Sequence, residues 1–455
     1  MLPAASLFLL ALGCGIAIVY GSLVPLNYRP LPWEETLARF RETPVLNISV
    51  GGRADWLANL FIYIPFGFLL TLSGCRLSSV VVWRIFVTLL AILVGAAVAV
   101  AVEMAQLWFP PRTVSQNDIQ AEIIGTVVGS ILALVASIAG LAILTWVRPL
   151  QSAIFSKWGL TYLAALTIYS VMPGDLVISW DELWLKLTKK PINWIPFADF
   201  DWSKESFLSR AFNLFCYFPV GYLAAQWKRR DDWISSAAIA AWLGGCYAMA
   251  MEIVQLPIYS RETTITAVLV GAFGAALGGA CQNFFLAPER RPRWLIALLN
   301  VIQNPAAAWL AVALFAAVIA VVMLAPFTII QDPEVRASRW DGFFRVPFAA
   351  LYVSTEFGAL TSILRKGAVF AILGGLIRLA MGGSKRASGT IAIWLGVATF
   401  CACFGVAIEM AQVVIDAHQP DGTDVLIYTA SALVGFRLVD LQQALRLSVG
   451  GMIRT

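Results

Sequence analysis

The chain has 455 residues, 60% of them hydrophobic and only 13% charged, and a formal net charge of +5. At a mean hydropathy of +0.79 it carries too much apolar surface for a water-soluble globule, which excludes soluble enzymes and soluble binding modules. In such a chain the placement of charge decides topology, so the small positive sum says little, and a single histidine excludes a His-rich metal centre.

Apolar stretches long enough to cross a bilayer recur throughout. Twelve are expected: 4–24, 56–74, 82–109 and 118–146, then 158–173, 207–227, 233–257 and 264–287, then 306–327, 361–381, 389–415 and 423–444. The first has neither a basic n-region nor a small-residue cleavage site, so it reads as a retained helix. The expected fold class is an all-α polytopic membrane protein of about twelve transmembrane helices.

The stretches come in three sets of four, and each set reads alike. The first helix ends at a proline, in Ser22-Leu-Val-Pro25, Ser170-Val-Met-Pro173 and Leu324-Ala-Pro326. A loop of mixed charge and aromatic residues follows, as in Trp180-Asp-Glu-Leu-Trp184, of a kind suited to short interfacial amphipathic helices. It leads to Ile195-Pro-Phe197 or Val346-Pro-Phe348, with Thr43-Pro-Val45 in the first set. The second helix carries Asn59-x5-Pro65-x-Gly67, then Asn213-x5-Pro219-x-Gly221, and more loosely Lys366-x5-Ile372-x-Gly374. The third closes with Glu-x-x-Gln: Glu103 and Gln106, Glu252 and Gln255, Glu409 and Gln412. Nine residues past each Glu stand Arg112, Arg261 and His418, and six further on Asp118, Ala267 and Asp424. The fourth helix runs through small-xxx-small pairs such as Gly125/Gly129 and Gly274/Gly278, which permit close helix contact.

This periodicity predicts three units, residues 1–150, 151–300 and 301–455, the first keeping the fullest motif and the third degenerate. An even number of helices per unit makes them parallel repeats, expected as a pseudo-threefold array about the membrane normal. The same arithmetic places all three Glu-containing loops on one face of the membrane. Basic clusters such as Lys228-Arg229-Arg230 and Arg290-Arg291-x-Arg293 flank the opposite face, so the termini are expected in the cytoplasm and the Glu/Arg loops outside. Lys and Arg in the longer outer loops offset that bias, but they are mixed with acids such as Glu34-Glu35 and Asp181-Glu182.

The seven cysteines lie in or at the edges of apolar runs without repeat spacing, and read as reduced structural thiols. Phosphate-binding glycine loops, HExxH and paired Cys-x-x-Cys are missing from the sequence. No cofactor, metal or nucleic-acid partner is expected.

The pattern of Asn-x5-Pro-x-Gly, Glu-x-x-Gln, a loop Arg, an Asp six residues later and two glycines four apart resembles the VanZ-like family of bacterial membrane proteins. The chain departs from the pattern at Glu122 and Gly271, where the family usually has Asn, and at Ala267. In the third unit Lys366, Ile372 and His418 replace Asn, Pro and Arg. The resemblance implies an envelope protein of the bacterial cytoplasmic membrane, in a family linked to lipoglycopeptide resistance, surface polysaccharide and protein sorting. It supplies no reaction.

An intramembrane carboxylate costs roughly 2.5–3.5 kcal/mol to insert at a helix centre and less near the interface, so each Glu needs a partner or water. Glu and Gln one turn apart share a helix face, and the following loop is expected to fold Arg112 back onto Glu103, with Asn59 as amide donor. The candidate binding set is Asn59, Glu103, Gln106, Arg112 and Asp118, then Asn213, Glu252, Gln255 and Arg261, then Lys366, Glu409, Gln412, His418 and Asp424. The structural alternative is an ion pair that anchors the loop, and for His418 a loop replacement of Arg. The favoured function is binding of an anionic amphiphile, a lipid-linked glycan precursor or phospholipid, with Arg recognising phosphate or carboxylate. A membrane-embedded transferase or hydrolase with Glu103 as base, a lipid flippase, and a scaffold for envelope-assembly enzymes stay open. Membrane lipids and lipid-linked envelope precursors are the expected partners.

Overall fold

The computed structural model describes residues 3–45, 49–138, 157–198, 203–227, 232–286, 304–352, 356–382, 391–416 and 419–452. Their regular structure is helical, with only isolated bridges between loops. In chain order the helices are α1 (Ala4–Leu23), α2 (Trp33–Arg41), α3 (Val50–Cys75), α4 (Val81–Gln106) and α5 (Gln116–Ile138). Then come α6 (Lys157–Val171), α7 (Trp180–Lys189), α8 (Lys204–Trp227), α9 (Trp233–Gln255) and α10 (Ile265–Leu286). The last are α11 (Pro305–Leu324), α12 (Pro333–Phe343), α13 (Ala349–Tyr352), α14 (Glu356–Ala380), α15 (Ile391–Val414) and α16 (Gly422–Met452). They fall into two compact units, Met1–Arg290 and Arg291–Thr455.

Among the described residues, ten helices are long and apolar enough to cross a membrane: α1, α3, α4, α5, α9, α10, α11, α14, α15 and α16. The chain is therefore a polytopic helical membrane protein. Two of the twelve expected spans fall short of that measure. The apolar part of α6, Tyr162–Val171, is shorter than a bilayer core requires. Helix α8 has 24 residues, but its first turns carry Lys204, Glu205 and Arg210.

The long helices pack within sets rather than as a uniform array: α1 and α4 against α3, α3 against α5, then α8 against α10, and α14 against α16. Glycine decides the tightest of these contacts. A Cβ on Gly125 would meet the Leu60 carbonyl oxygen, one on Gly129 that of Ile64, and one on Gly67 that of Thr126. The same holds for Gly274 with Leu214, Gly278 with Phe218 and Gly221 with Ala275 across α8 and α10, and for Gly374 with Ala432 and Gly435 with Ala371 across α14 and α16. In each set the second and fourth helices touch backbone to backbone, which only residues without a side chain allow.

The short helices lie between spans. Ser179 caps α7 by accepting from the Glu182 N–H at 3.2 Å. Trp180 and Trp184, one turn apart on the same face, are 84% and 76% exposed while Lys186 is buried, the distribution expected of an interfacial amphipathic helix.

The loops repeat as closely as the helices. Each proline that ends a first helix follows a cis bond, at Val24-Pro25, Met172-Pro173 and Ala325-Pro326, and the next residue has positive φ (Leu26 62°, Gly174 82°, Phe327 65°). Three residues on, an N–H bonds the end of the third helix or the loop just past it: Arg29 to the Trp108 carbonyl at 2.7 Å, Val177 to Pro257 at 2.7 Å, Ile330 to Val414 at 2.8 Å. The two Pro-Phe segments are also pinned alike. Phe197 and Phe348 have positive φ, and their N–H groups donate to Thr266 Oγ1 at 2.9 Å and Thr423 Oγ1 at 2.8 Å.

Candidate functional site

The glutamates at the ends of α4, α9 and α15 are all buried, at 2%, 9% and 0% exposure for Glu103, Glu252 and Glu409. Each accepts from the backbone N–H twelve residues on: Ser115 to Glu103 at 3.3 Å, Thr264 to Glu252 at 2.9 Å, Asp421 to Glu409 at 2.9 Å. A carboxylate thus ties the start of the fourth helix to the end of the third, satisfying an N–H that the helix itself cannot.

The residues after each Glu reach the other way, to the first helix. Gln255 Nε2 donates to the Ser170 carbonyl at 2.9 Å and Gln412 Nε2 to that of Met323 at 3.3 Å. Gln106 is buried beside Glu103. Arg112 was expected to fold onto Glu103, but its Nε donates to the Val24 carbonyl at 2.6 Å and its terminal nitrogen to Gly21. Arg261 repeats this on Met172 and Tyr169, both at 2.9 Å. These are the last-turn carbonyls of the first helix, which lack helical donors and carry the negative end of the macrodipole. Burial pulls the Arg261 pKa below its usual value, yet two carbonyl acceptors hold the guanidinium in place. His418 lies outside the described residues.

Sequence reasoning missed two further cations. Lys186 on α7 donates to the carbonyls of Gln255, Leu256 and Ile258 at 3.0, 2.7 and 2.6 Å, capping the end of α9. Arg339 on α12 caps α15 in the same way, through Gln412 at 3.0 Å and Ile415 at 3.3 Å, and pairs with Asp416. Burial lowers the Lys186 pKa, opposed by Asp175. Both cations stand thirteen residues past their cis proline, and that shared register was the available signal; the first set has Ala38 there.

The three sets differ most where the second helix faces the fourth. In the first, Asn59 and Tyr63 lie one turn apart on α3, opposite Asp118 and Glu122 one turn apart on α5. Asn59 Nδ2 donates to Asp118 Oδ1 at 2.9 Å, and Ser115 Oγ to Asp118 Oδ2 at 2.7 Å. Glu122, 2% exposed, lies beside Tyr63 and within electrostatic reach of Glu103 and Asp118. Neither Glu122 Oε2 nor Tyr63 Oη closes a hydrogen bond of normal geometry. In the second set the register holds Asn213 and Tyr217 opposite Ala267 and Gly271, so Glu252 is the one carboxyl left, and the charges acting on it are the cations Arg261, Arg210 and Lys186. In the third set Lys366 Nζ pairs with Asp424. Tyr428, in the register of Glu122, donates to Glu409 at 3.0 Å and to Asp424 at 3.4 Å, and stacks on Phe370 with centroids 4.1 Å apart. Among the described residues no group of His, Cys, Asp and Glu could hold a metal ion.

Spans, glycine contacts and the Glu/Gln/Arg helix ends together define a VanZ-like membrane protein. The VanZ/LLP1 family model matches residues 14–137 and 295–443, more than half of the chain, which therefore belongs to that family. The searches of curated proteins and of solved structures returned no match.

Proposed function

We propose that this VanZ-like protein serves the bacterial cell envelope by binding an amphiphile, a phospholipid or lipid-linked glycan precursor, whose polar head enters the Asn59, Glu103, Asp118 and Glu122 cluster of the first repeat. The bilayer concerned is the cytoplasmic membrane, with the termini inside and the binding face outside, as the basic flanks favour. Contrast among the repeats carries the reading. The helix-end clamps built on Glu, Gln and Arg recur as scaffold, whereas the first repeat alone among the described ones gathers three carboxyls, two buried and one half-buried, without a lysine in the cluster. Asn59 and Asp118 are half-buried and Glu103 and Glu122 buried, with the three carboxyls within electrostatic reach of one another, which supports a polar head-group site.

Arg112 enters this reading as the residue that fixes the end of α1, not as the main phosphate clamp, because two of its nitrogens are engaged by carbonyls. Native mass spectrometry of the full chain from bacterial membranes tests the proposal. A co-purifying amphiphile that is lost in the Asp118→Asn, Glu122→Gln double variant, with folding intact, is the expected result. Equal retention by that variant, or no retained amphiphile in the parent, contradicts it.

A further inference from the structure

We propose that the head group taken by the first repeat carries a primary ammonium group, which sits between Asp118, Glu122 and Glu103. This rests on the proposed binding role and specifies the ligand chemistry of the same cluster.

The argument comes from the third repeat, where the same scaffold contains its own cation. Lys366 occupies the register of Asn59, and its ammonium pairs with Asp424, the counterpart of Asp118. Beneath it Tyr428 donates to Glu409, the counterpart of Glu103. Every carboxyl in that cluster thus has a donor supplied by the chain. Lys366 is partly exposed and Asp424 is 6% exposed, so the ammonium lies at the mouth and its partner within.

The first repeat keeps both carboxyls of that arrangement, adds a third, and removes the cation. Asn59 and the Ser115 hydroxyl donate to Asp118, and Glu103 has the Ser115 N–H and the Gln106 side chain, all of them neutral donors. Glu122 Oε2 is fully buried and closes no hydrogen bond of normal geometry, and Tyr63 Oη beside it, close enough to act on it, closes none either. Arg112 acts on Glu103 from the loop, but no lysine or arginine lies on the α3 and α5 stripes that form the cluster. Unmatched buried carboxyls are costly in a membrane bundle, and a donor-only cation offsets that cost most directly. An ammonium has three donors and no acceptor, so it matches a cluster of carboxylate acceptors, and Lys366 displays that pairing on the same scaffold. A quaternary head group has no N–H to give and an anionic head group is repelled. The class is therefore an amphiphile with a primary amine, such as an ethanolamine-type phospholipid or an amino-sugar-bearing lipid.

The test uses the purified full chain in nanodiscs, with matched acyl chains and ethanolamine, choline or glycerol phosphate head groups, read by native mass spectrometry. The parent is expected to retain the ethanolamine lipid at least tenfold over the other two, and soluble ethanolamine is expected to compete for it. Asn59→Lys supplies the third repeat's ammonium in register, so it is expected to fold and to lose that preference. Glu122→Gln, nearly isosteric, guards against a folding artefact and is expected to weaken the preference while leaving the thermal midpoint close to the parent's. Parent protein that holds glycerol phosphate or choline lipid equally well overturns the ammonium assignment and leaves head-group binding standing, as does Asn59→Lys protein with an undiminished ethanolamine preference. Parent protein that holds none of the three lipids overturns both.

Discussion

The first and third repeats share a scaffold and differ in how its buried charge is answered. Both tie the fourth helix to the third through a Glu that accepts an N–H twelve residues away, and both press glycine backbones of the second and fourth helices together. In the third, Lys366 and Tyr428 satisfy the acids from within; in the first, Glu122 has only Tyr63 beside it, and neither Glu122 Oε2 nor Tyr63 Oη closes a hydrogen bond of normal geometry. A motif repeated with its scaffold therefore reports architecture, and what varies inside it locates the function. The second repeat agrees: without two of the acids, the charges that act on its remaining glutamate are those of cations.

The comparison can be broken first at the scaffold both repeats share. Gly129→Leu and Gly435→Leu each drive a side chain into a backbone carbonyl, costing about 3 kcal/mol or more. Thermal unfolding in detergent is expected to show a large loss for both, and tolerance of either separates the two scaffolds. Next come the helix-end clamps. Arg261→Ala removes two charge-assisted bonds to Tyr169 and Met172, an expected loss of about 3 kcal/mol, with Arg112→Ala close behind because its bonds are equivalent. A smaller effect sharpens the contrast in charge. Lys366→Met strips the half-exposed cation from Asp424 and is expected to cost about 1–2 kcal/mol, while Asn59→Lys leaves the first repeat as stable as before or more so.

The smallest effect concerns the join between the first two repeats. Arg53 forks onto Glu182 with both bonds at 3.0 Å and also donates to the Leu176 carbonyl. That pairing, aided by the Ile178 N–H, holds the Glu182 carboxyl down at about 2 from an ordinary 4.5. Because the folded value is depressed, its contribution is fully present above about pH 4.5 and is lost as pH falls through about 2. Unfolding midpoints measured across that window are expected to fall less steeply in Glu182→Gln than in the parent. Parallel curves remove the ion pair from the account.

Ten of the twelve spans, the recurring motif and the tight helix contacts were legible in the sequence because each leaves a local mark: apolar length, a spacing, a glycine pair. The Glu, Gln and Arg positions were legible as a set for the same reason. Their partners were not. Arg112 and Gln255 bond backbone carbonyls roughly ninety and eighty-five residues away, and every residue type has a carbonyl, so no pattern announces the acceptor. Lys186 and Arg339 were hidden in loops of mixed charge until their shared distance from the cis proline became meaningful. Tyr63 escaped notice because a tyrosine in an apolar helix looks like core until its neighbour across the interface proves to be Glu122. That neighbour depends on the register of α3 against α5, which the glycines set.

The most direct test is a magnetic-resonance distance between the nitrogen of ¹⁵N-ethanolamine phospholipid and the ¹³C-labelled carboxyls of the full chain in bilayers. The account predicts a short-range nitrogen contact that disappears on Glu122→Gln with Asp118→Asn and is indifferent to substitution of Glu409. A contact that survives the double substitution, or one that depends on Glu409 instead, contradicts it.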